Sequence, residues 1–106
     1  MYWYQYIASF FAGMFFANVV PHFVHGVSGD RFPTLFADPP GKGLSSPTVN
    51  VGWAMLNLAV GYILFRAGKV STGGYSVLVL FFAGIAALSM MMSVRFAEKH
   101  REQAPQ

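Results

Sequence analysis

Residues 75–94, YSVLVLFFAGIAALSMMMSV, form a continuous uncharged stretch that decides the fold. An α-helix of about 20 residues rises about 30 Å, which matches the hydrocarbon core of a bilayer. Residues 3–20 and 47–65 are likewise free of Asp, Glu, Lys and Arg. We therefore predict an all-α fold: a polytopic integral membrane protein that crosses the bilayer with a bundle of three transmembrane helices, in one membrane domain over residues 1–106.

The composition also favours a membrane protein over a soluble one. Hydrophobic residues make up 55% of the 106 residues and charged residues 10%, whereas soluble domains average about 45–50% and about 25%. The chain has no Cys, which excludes disulfides and Cys-based zinc sites. Its net charge of +3 comes without a dense basic cluster, so we expect the lipid bilayer, and no nucleic acid, as a partner.

Local signals mark where the predicted helices begin and end. Pro21 either ends the first helix or kinks it into a further turn, because proline lacks the backbone N–H that a helix needs. Ser45 or Ser46 can cap the second helix, and Pro47 suits its first position. Gly68 is placed as a C-cap glycine beyond the second run.

The distribution of basic residues predicts the orientation in the membrane. The first loop, residues 22–46, is 25 residues long and should lie in the membrane interface, on the same side as the tail, residues 95–106. The short connection 67–74 lies on the other side and should make the second and third helices antiparallel neighbours. The two sides carry five and two basic residues: Arg31, Lys42, Arg95, Lys99 and Arg101 against Arg66 and Lys69. Because basic flanks resist translocation, we predict an external N-terminus and a cytoplasmic C-terminus in a bacterial cytoplasmic membrane.

Small or polar residues recur at helical spacing on one face of each run. Membrane helices associate through such residues, which allow close packing and polar contacts. The predicted packing faces are Ser9, Gly13 and Ala17 in the first run, Asn50, Ala54, Asn57 and Gly61 in the second, and Ala86, Ser89 and Ser93 in the third. We expect Asn50 and Asn57 to bond each other or neighbouring backbone rather than a ligand.

The tetrapeptide Phe-Phe-Ala-Gly occurs twice, at residues 10–13 and 81–84. The two copies fall in the first and third runs, which cross the membrane in the same direction. Four residues match easily by chance in a chain rich in Phe and Ala, so the echo by itself does not establish an internal repeat.

A polar patch is predicted where the first run meets the loop. If the first helix continues past Pro21, offsets of 0, 4 and 7 residues bring Asn18, His22 and His25 onto one face. The loop adds Asp30 and Arg31 to this patch. His22 and His25 are candidates for a metal site or a haem ligand. Two ligands alone rarely make a metal site, so we expect the pair to bond loop carbonyls and headgroups, with no cofactor.

No complete catalytic motif occurs, and the three runs contain no acidic residue that could couple a proton to transport. We therefore expect a non-enzymatic membrane protein, an accessory or scaffolding subunit that binds other membrane subunits or itself. One alternative is a redox subunit that holds metal or haem at His22 and His25. Another is an oligomeric pore or carrier lined by Asn50 and Asn57.

Overall fold

The computed structural model describes residues 2–34, 37, 39–40 and 43–103, and the side chains of its last helix as far as Glu98. It has three helices: α1 (Trp3–Val27), α2 (Pro47–Ala67) and α3 (Tyr75–Gln103). Each helix is long and apolar enough to cross a membrane, judged by length and composition. The described residues contain no strand beyond a single bridge between Phe32 and Ser45. The prediction of an all-α fold with three spans is confirmed.

The boundaries of α2 follow its local signals. The Ser46 hydroxyl oxygen accepts a hydrogen bond from the Val49 N–H at 3.2 Å, and Pro47 occupies the first helical position, where no N–H is needed. At the other end, the Gly68 N–H donates to the Leu64 carbonyl at 2.8 Å. The helix runs two residues beyond the predicted end at residue 65.

Of the two outcomes left open at Pro21, the helix takes the second: α1 continues through Pro21 to Val27, beyond the apolar run that ends at residue 20. Proline removes one intrahelical hydrogen bond, but packing against α2 holds the last two turns in place. Gly26 lies so close to α2 that a Cβ there would be 2.9 Å from the Pro47 carbonyl oxygen. The helix then closes with a hydrogen bond from the Asp30 N–H to the His25 carbonyl at 2.8 Å.

The helix α1 is the centre of the bundle. Among the described residues, α2 packs antiparallel against α1 and α3 packs parallel to it, and the backbones of α2 and α3 do not approach one another. These two helices meet through aromatic side chains, with the rings of Phe65 and Phe81 5.4 Å apart. The helices α2 and α3 are antiparallel, as their short connection predicts. They are not packed neighbours, because each one packs against α1 instead.

The closest approach of α1 and α3 joins the two Phe-Phe-Ala-Gly segments. A Cβ at Gly13 would collide with the carbonyl oxygen of Phe81, and a Cβ at Gly84 would collide with the carbonyl oxygen of Phe10. Each glycine thus packs against the first residue of the other segment. This arrangement is a parallel, quasi-symmetric crossing in which two absent side chains let the backbones touch.

The predicted packing face of α3 is not buried within this chain. Ala86, Ser89 and Ser93 are exposed, whereas Val77 is buried and Gly84 is buried against Phe10 of α1. The helix is turned in this way because Gly84 offers the backbone a closer approach than serine or alanine can.

Candidate functional site

Asn50 is the centre of a polar network between α1, α2 and the first loop. Its side chain is fully buried, and its Nδ2 donates to the carbonyl oxygens of Phe32 (3.0 Å), Ser45 (3.3 Å) and Ser46 (3.0 Å). The remaining atom, Oδ1, lies 2.8 Å from Nδ1 of His22. Since an amide oxygen only accepts, His22 must carry its hydrogen on Nδ1 and donate it to Asn50.

The first loop is fastened to this network by its own hydrogen bonds. Phe32 and Ser45 exchange backbone hydrogen bonds at 3.3 and 3.0 Å, and the hydroxyl groups of Thr34 and Ser45 bond each other. Both hydroxyl-bearing residues are buried. The Phe32 ring packs against the ring of Phe96 on α3, with centroids 4.9 Å apart. The described part of the loop therefore lies across the helix ends.

Two further polar contacts join α1 to α2 along their length. Asn18 Nδ2 donates to Asn57 Oδ1 at 3.1 Å, and Ser9 Oγ donates to the carbonyl oxygens of Gln5 (2.8 Å) and Gly68 (3.1 Å). Together with the His22–Asn50 pair, the Asn18–Asn57 and Ser9–Gly68 contacts form what we call the polar ladder. On α1 its three levels lie at Ser9, Asn18 and His22.

The two asparagines of α2 do not bond each other, contrary to one of the expected arrangements. Asn57 Nδ2 donates to the Trp53 carbonyl at 2.7 Å, which is the expected bond to neighbouring backbone, while its oxygen accepts from α1. Both residues are buried between α1 and α2, with 0% and 2% of their surface exposed. Both amide groups are engaged in hydrogen bonds within the chain.

The predicted polar patch is divided by the structure. Asn18 and His22 are directed to α2, whereas His25 stacks on Phe32 with ring centroids 4.3 Å apart. Nδ1 of His25 lies 3.8 Å from Oδ2 of Asp30, which is beyond hydrogen-bond reach, and has no hydrogen-bond partner among the described residues. Arg31 is exposed.

The two histidines therefore engage different neighbours, and no group of three His, Cys, Asp or Glu side chains comes together in the part of the chain that the structure describes. Nδ1 of His22 is already occupied by its bond to Asn50. A metal or haem that used His22 would have to bind through its other ring nitrogen.

Two depressions flank α3. The first, between α1 and α3, measures about 440 Å³ and is called the α1–α3 groove; among its lining residues are Ala17, Pro21, His25, Ile85, Ser89 and Ser93. The second opens between α2 and α3 above α1, because those two helices do not pack together, and is called the α2–α3 cleft. Its part near the loop measures about 220 Å³ and its deeper part about 330 Å³.

Sequence reasoning missed Trp53 and Arg95, which both line the α2–α3 cleft. The sequence contains a signal for Arg95 alone: it is the first charged residue after the uncharged residues 70–94, which places it at the end of the third span. Trp53 carries no such signal, because its place in a cleft depends on where α3 lies.

Comparisons of the chain with protein-family models, with curated proteins and with solved structures each find no match.

Proposed function

We propose that this protein is a non-enzymatic accessory or scaffolding subunit of a membrane assembly, and that it binds a transmembrane helix of another subunit at the α1–α3 groove. The proposal follows from how the polar groups of the chain are distributed. The polar groups between α1 and α2 bond one another in the polar ladder. The hydroxyl groups that line the α1–α3 groove have no such partners within the described residues.

The α1–α3 groove is the observation that carries this proposal. The hydroxyl groups of Ser89 and Ser93 line this groove, are exposed and make no hydrogen bond within the described residues. Pro21 has no N–H to donate to the carbonyl oxygen of Ala17. In hydrocarbon such groups need partners, and a helix carrying small or hydroxyl residues supplies them at short range.

The test uses the absence of Cys from the chain. A single cysteine at Ser89→Cys or Ser93→Cys carries a photoreactive maleimide label in native membranes. The matched control is Ala87→Cys, since residue 87 is also exposed, lies within about 3 Å of the depth of residue 89 and faces the opposite side of α3 from it. We expect protein adducts of defined mass from both groove positions and none from the control. Equal labelling of all three positions, or adducts with lipid alone, would overturn the proposal.

The same experiment separates a foreign subunit from a second copy of this chain. An adduct of twice the chain mass, together with disulfide-linked dimers of Ser89→Cys under mild oxidation, identifies a homo-oligomer. An adduct with a different peptide identifies a hetero-oligomeric assembly.

We further propose a bacterial cytoplasmic membrane, with the N-terminus outside and the C-terminus in the cytoplasm. The excess of basic residues on the side of the first loop and tail supports this orientation. Lys42 lies outside the described residues, as do the side chains of Lys99 and Arg101, so part of the support is the sequence alone. A reporter fused to the C-terminus should be active as a cytoplasmic enzyme. Activity confined to a reporter that works only outside the membrane would reverse the orientation.

A further inference from the structure

A third depression lies at the end of the bundle that carries the α2–α3 connection, residues 67–74. It measures about 550 Å³ and is called the basic pocket; it is lined by Tyr62, Phe65, Arg66, Lys69, Ser71 and Thr72. Five of these six side chains carry hydrogen-bond donors, and two of the five are positively charged. Among the described residues that line the pocket, none is acidic. This lining suits an anion.

The positive charge of the basic pocket has no counter-charge in the neighbouring sequence. Residues 1–29 and 47–94 contain no Asp or Glu. The four acidic residues belong to the first loop and to residues 95–106: Asp30, Asp38, Glu98 and Glu102. The helices α1 and α3 also begin at this end of the bundle, with no acidic residue in the first turn of either. The positive ends of their dipoles therefore add to the two cations.

The guanidinium of Arg66 is engaged by Tyr62, and this contact fixes its position in the basic pocket. Nη1 of Arg66 donates to the Tyr62 hydroxyl oxygen at 3.0 Å, and the guanidinium carbon lies 5.9 Å from the centre of the Tyr62 ring. This hydrogen bond uses one of five N–H groups, and the others make no hydrogen bond within the described residues. Since the Tyr62 oxygen accepts, its own O–H is left to donate to a ligand.

The backbone around Lys69 is fixed in an unusual conformation. Its φ of 52° lies in the left-handed region, where the residue after a helix is usually glycine. The Lys69 carbonyl accepts hydrogen bonds from the N–H groups of Thr72 (3.2 Å) and Gly73 (2.7 Å), and Val70 is buried. The side chains of Lys69, Ser71 and Thr72 are exposed and make no hydrogen bond or ion pair within the described residues. A fixed turn thus presents three unpaired donors to one pocket.

We propose that the basic pocket binds a phosphate oxyanion. Arg66 and Lys69 balance its charge. The hydroxyl groups of Ser71 and Thr72 donate to its oxygens. Phosphate has more acceptor oxygens than a carboxylate, which suits two cations beside three hydroxyl groups. The pocket lies between the uncharged runs of the second and third spans, at the depth of lipid headgroups, so an anionic phospholipid and a free phosphate ion can both supply this group.

The first arm of the test measures lipid retention by the whole chain in nanodiscs of phosphatidylcholine that contain phosphatidylglycerol. After release into mild detergent, native mass spectrometry should show one phosphatidylglycerol per chain, retained at least about tenfold more than phosphatidylcholine. Lys69→Gly should lose this preference but keep the melting temperature, because glycine adopts a positive φ without strain. Arg31→Gly removes the same charge from an exposed residue at the opposite end and should keep the preference.

The second arm distinguishes the two sources of phosphate. Inorganic phosphate is titrated into nanodiscs of phosphatidylcholine alone, and its phosphorus NMR line is followed. Line broadening by the unaltered protein but not by Lys69→Gly identifies soluble phosphate as the ligand. Retention of phosphatidylglycerol that inorganic phosphate does not displace identifies the lipid. Each of these two results supports the proposal.

A further variant separates a site from the general attraction of a basic surface. The double substitution Ser71→Ala and Thr72→Val removes two hydroxyl groups and keeps both charges, so binding should fall by about threefold or more. Lys69→Arg keeps the charge and should keep binding, which provides a readout if Lys69→Gly does not fold. Unchanged binding by the double variant would overturn the proposal. Equal binding by Lys69→Gly and the unaltered protein in both arms would overturn it as well.

Discussion

The two interfaces of α1 are built in different ways, although both join helices of similar composition. Toward α2, the contact is made by the polar ladder, in which two levels join side chains and the third joins the Ser9 hydroxyl to the Gly68 carbonyl. Toward α3, the contact centres on Gly13 and Gly84, where the backbones themselves touch. Water drives neither association inside a bilayer, so packing and hydrogen bonds must supply the attraction. One small bundle uses each of these two means to hold a different neighbour against the same helix.

The two interfaces also differ in how far they tolerate small shifts of the helices and substitutions of single residues. Hydrogen bonds between side chains permit small shifts of the helices, because the side chains can adjust. A backbone contact across a glycine permits none, because the first added carbon meets a carbonyl oxygen that cannot move independently. We therefore expect the largest effects of single substitutions at the glycine crossing.

The substitution Gly84→Ala should break the α1–α3 interface most severely. The added Cβ collides with the carbonyl oxygen of Phe10, and we expect the free energy of unfolding to fall by about 1–3 kcal/mol. Gly52→Ala is the matched control, because residue 52 lies within α2 and a Cβ there meets nothing within 4 Å. This control should be neutral or slightly stabilising, since alanine favours helix more than glycine does. Thermal unfolding in mild detergent measures the stability of both variants. Equal melting temperatures would contradict the close contact of α1 and α3 at Gly84.

The substitution Asn50→Ala should weaken the α1–α2 interface. It leaves the His22 Nδ1–H without its acceptor, and an unsatisfied buried group costs about 1–3 kcal/mol. It also removes one of the two hydrogen bonds that the carbonyl oxygens of Phe32 and Ser45 each accept. Thr48→Ala, an exposed change in the same turn of α2, is the control. We also expect faster proteolysis within residues 28–46 of Asn50→Ala, because Asn50 fastens the loop. A loop cleaved at the same rate in both variants would contradict this role.

The two histidines should differ in a smaller but clear way. His22→Phe keeps an aromatic ring but leaves Oδ1 of Asn50 without its hydrogen bond, so we expect a loss of about 1 kcal/mol. His25→Phe keeps the stacking on Phe32 and removes no hydrogen bond found in the described residues, so we expect a change within about 0.5 kcal/mol. Metal content and the visible absorption spectrum are measured on the same samples. A metal or haem lost from both variants alike would support the redox alternative and contradict a purely structural pair.

The packing faces show how far sequence reasoning reaches. In α1 and α2 the small and polar residues share one face, and the structure places Ser9, Gly13 and Ala17 against neighbours, as it does Asn50, Asn57 and Gly61. In α3 the small residues from 83 to 93 occur on more than one face. Helical spacing cannot choose among such faces. The choice made here depends on Phe10, which is more than 70 residues away in the chain.

The site shows the same limit for polar residues. The offsets of Asn18, His22 and His25 predicted one polar face, and two of the three side chains do turn to α2. His25 turns instead to Phe32, because the loop returns across the end of α1 and offers an aromatic ring. The cleft with Trp53 and Arg95 could not be predicted, since it exists only because α2 and α3 both pack on α1.

The sequence by itself determined the three helices, a serine cap at residue 45 or 46 and the stop at Gly68, because these depend on neighbours within a few residues. The length of an uncharged stretch and the local hydrogen bonds of a helix cap depend on residues close together in the chain, so they can be read directly from one sequence. The partners of each helix were decided only in three dimensions. Two copies of Phe-Phe-Ala-Gly were visible in the sequence, but only the tertiary structure shows that they pack against each other. The reason is physical: a glycine signals that a backbone can come close, and which backbone does so depends on the packing of the whole bundle.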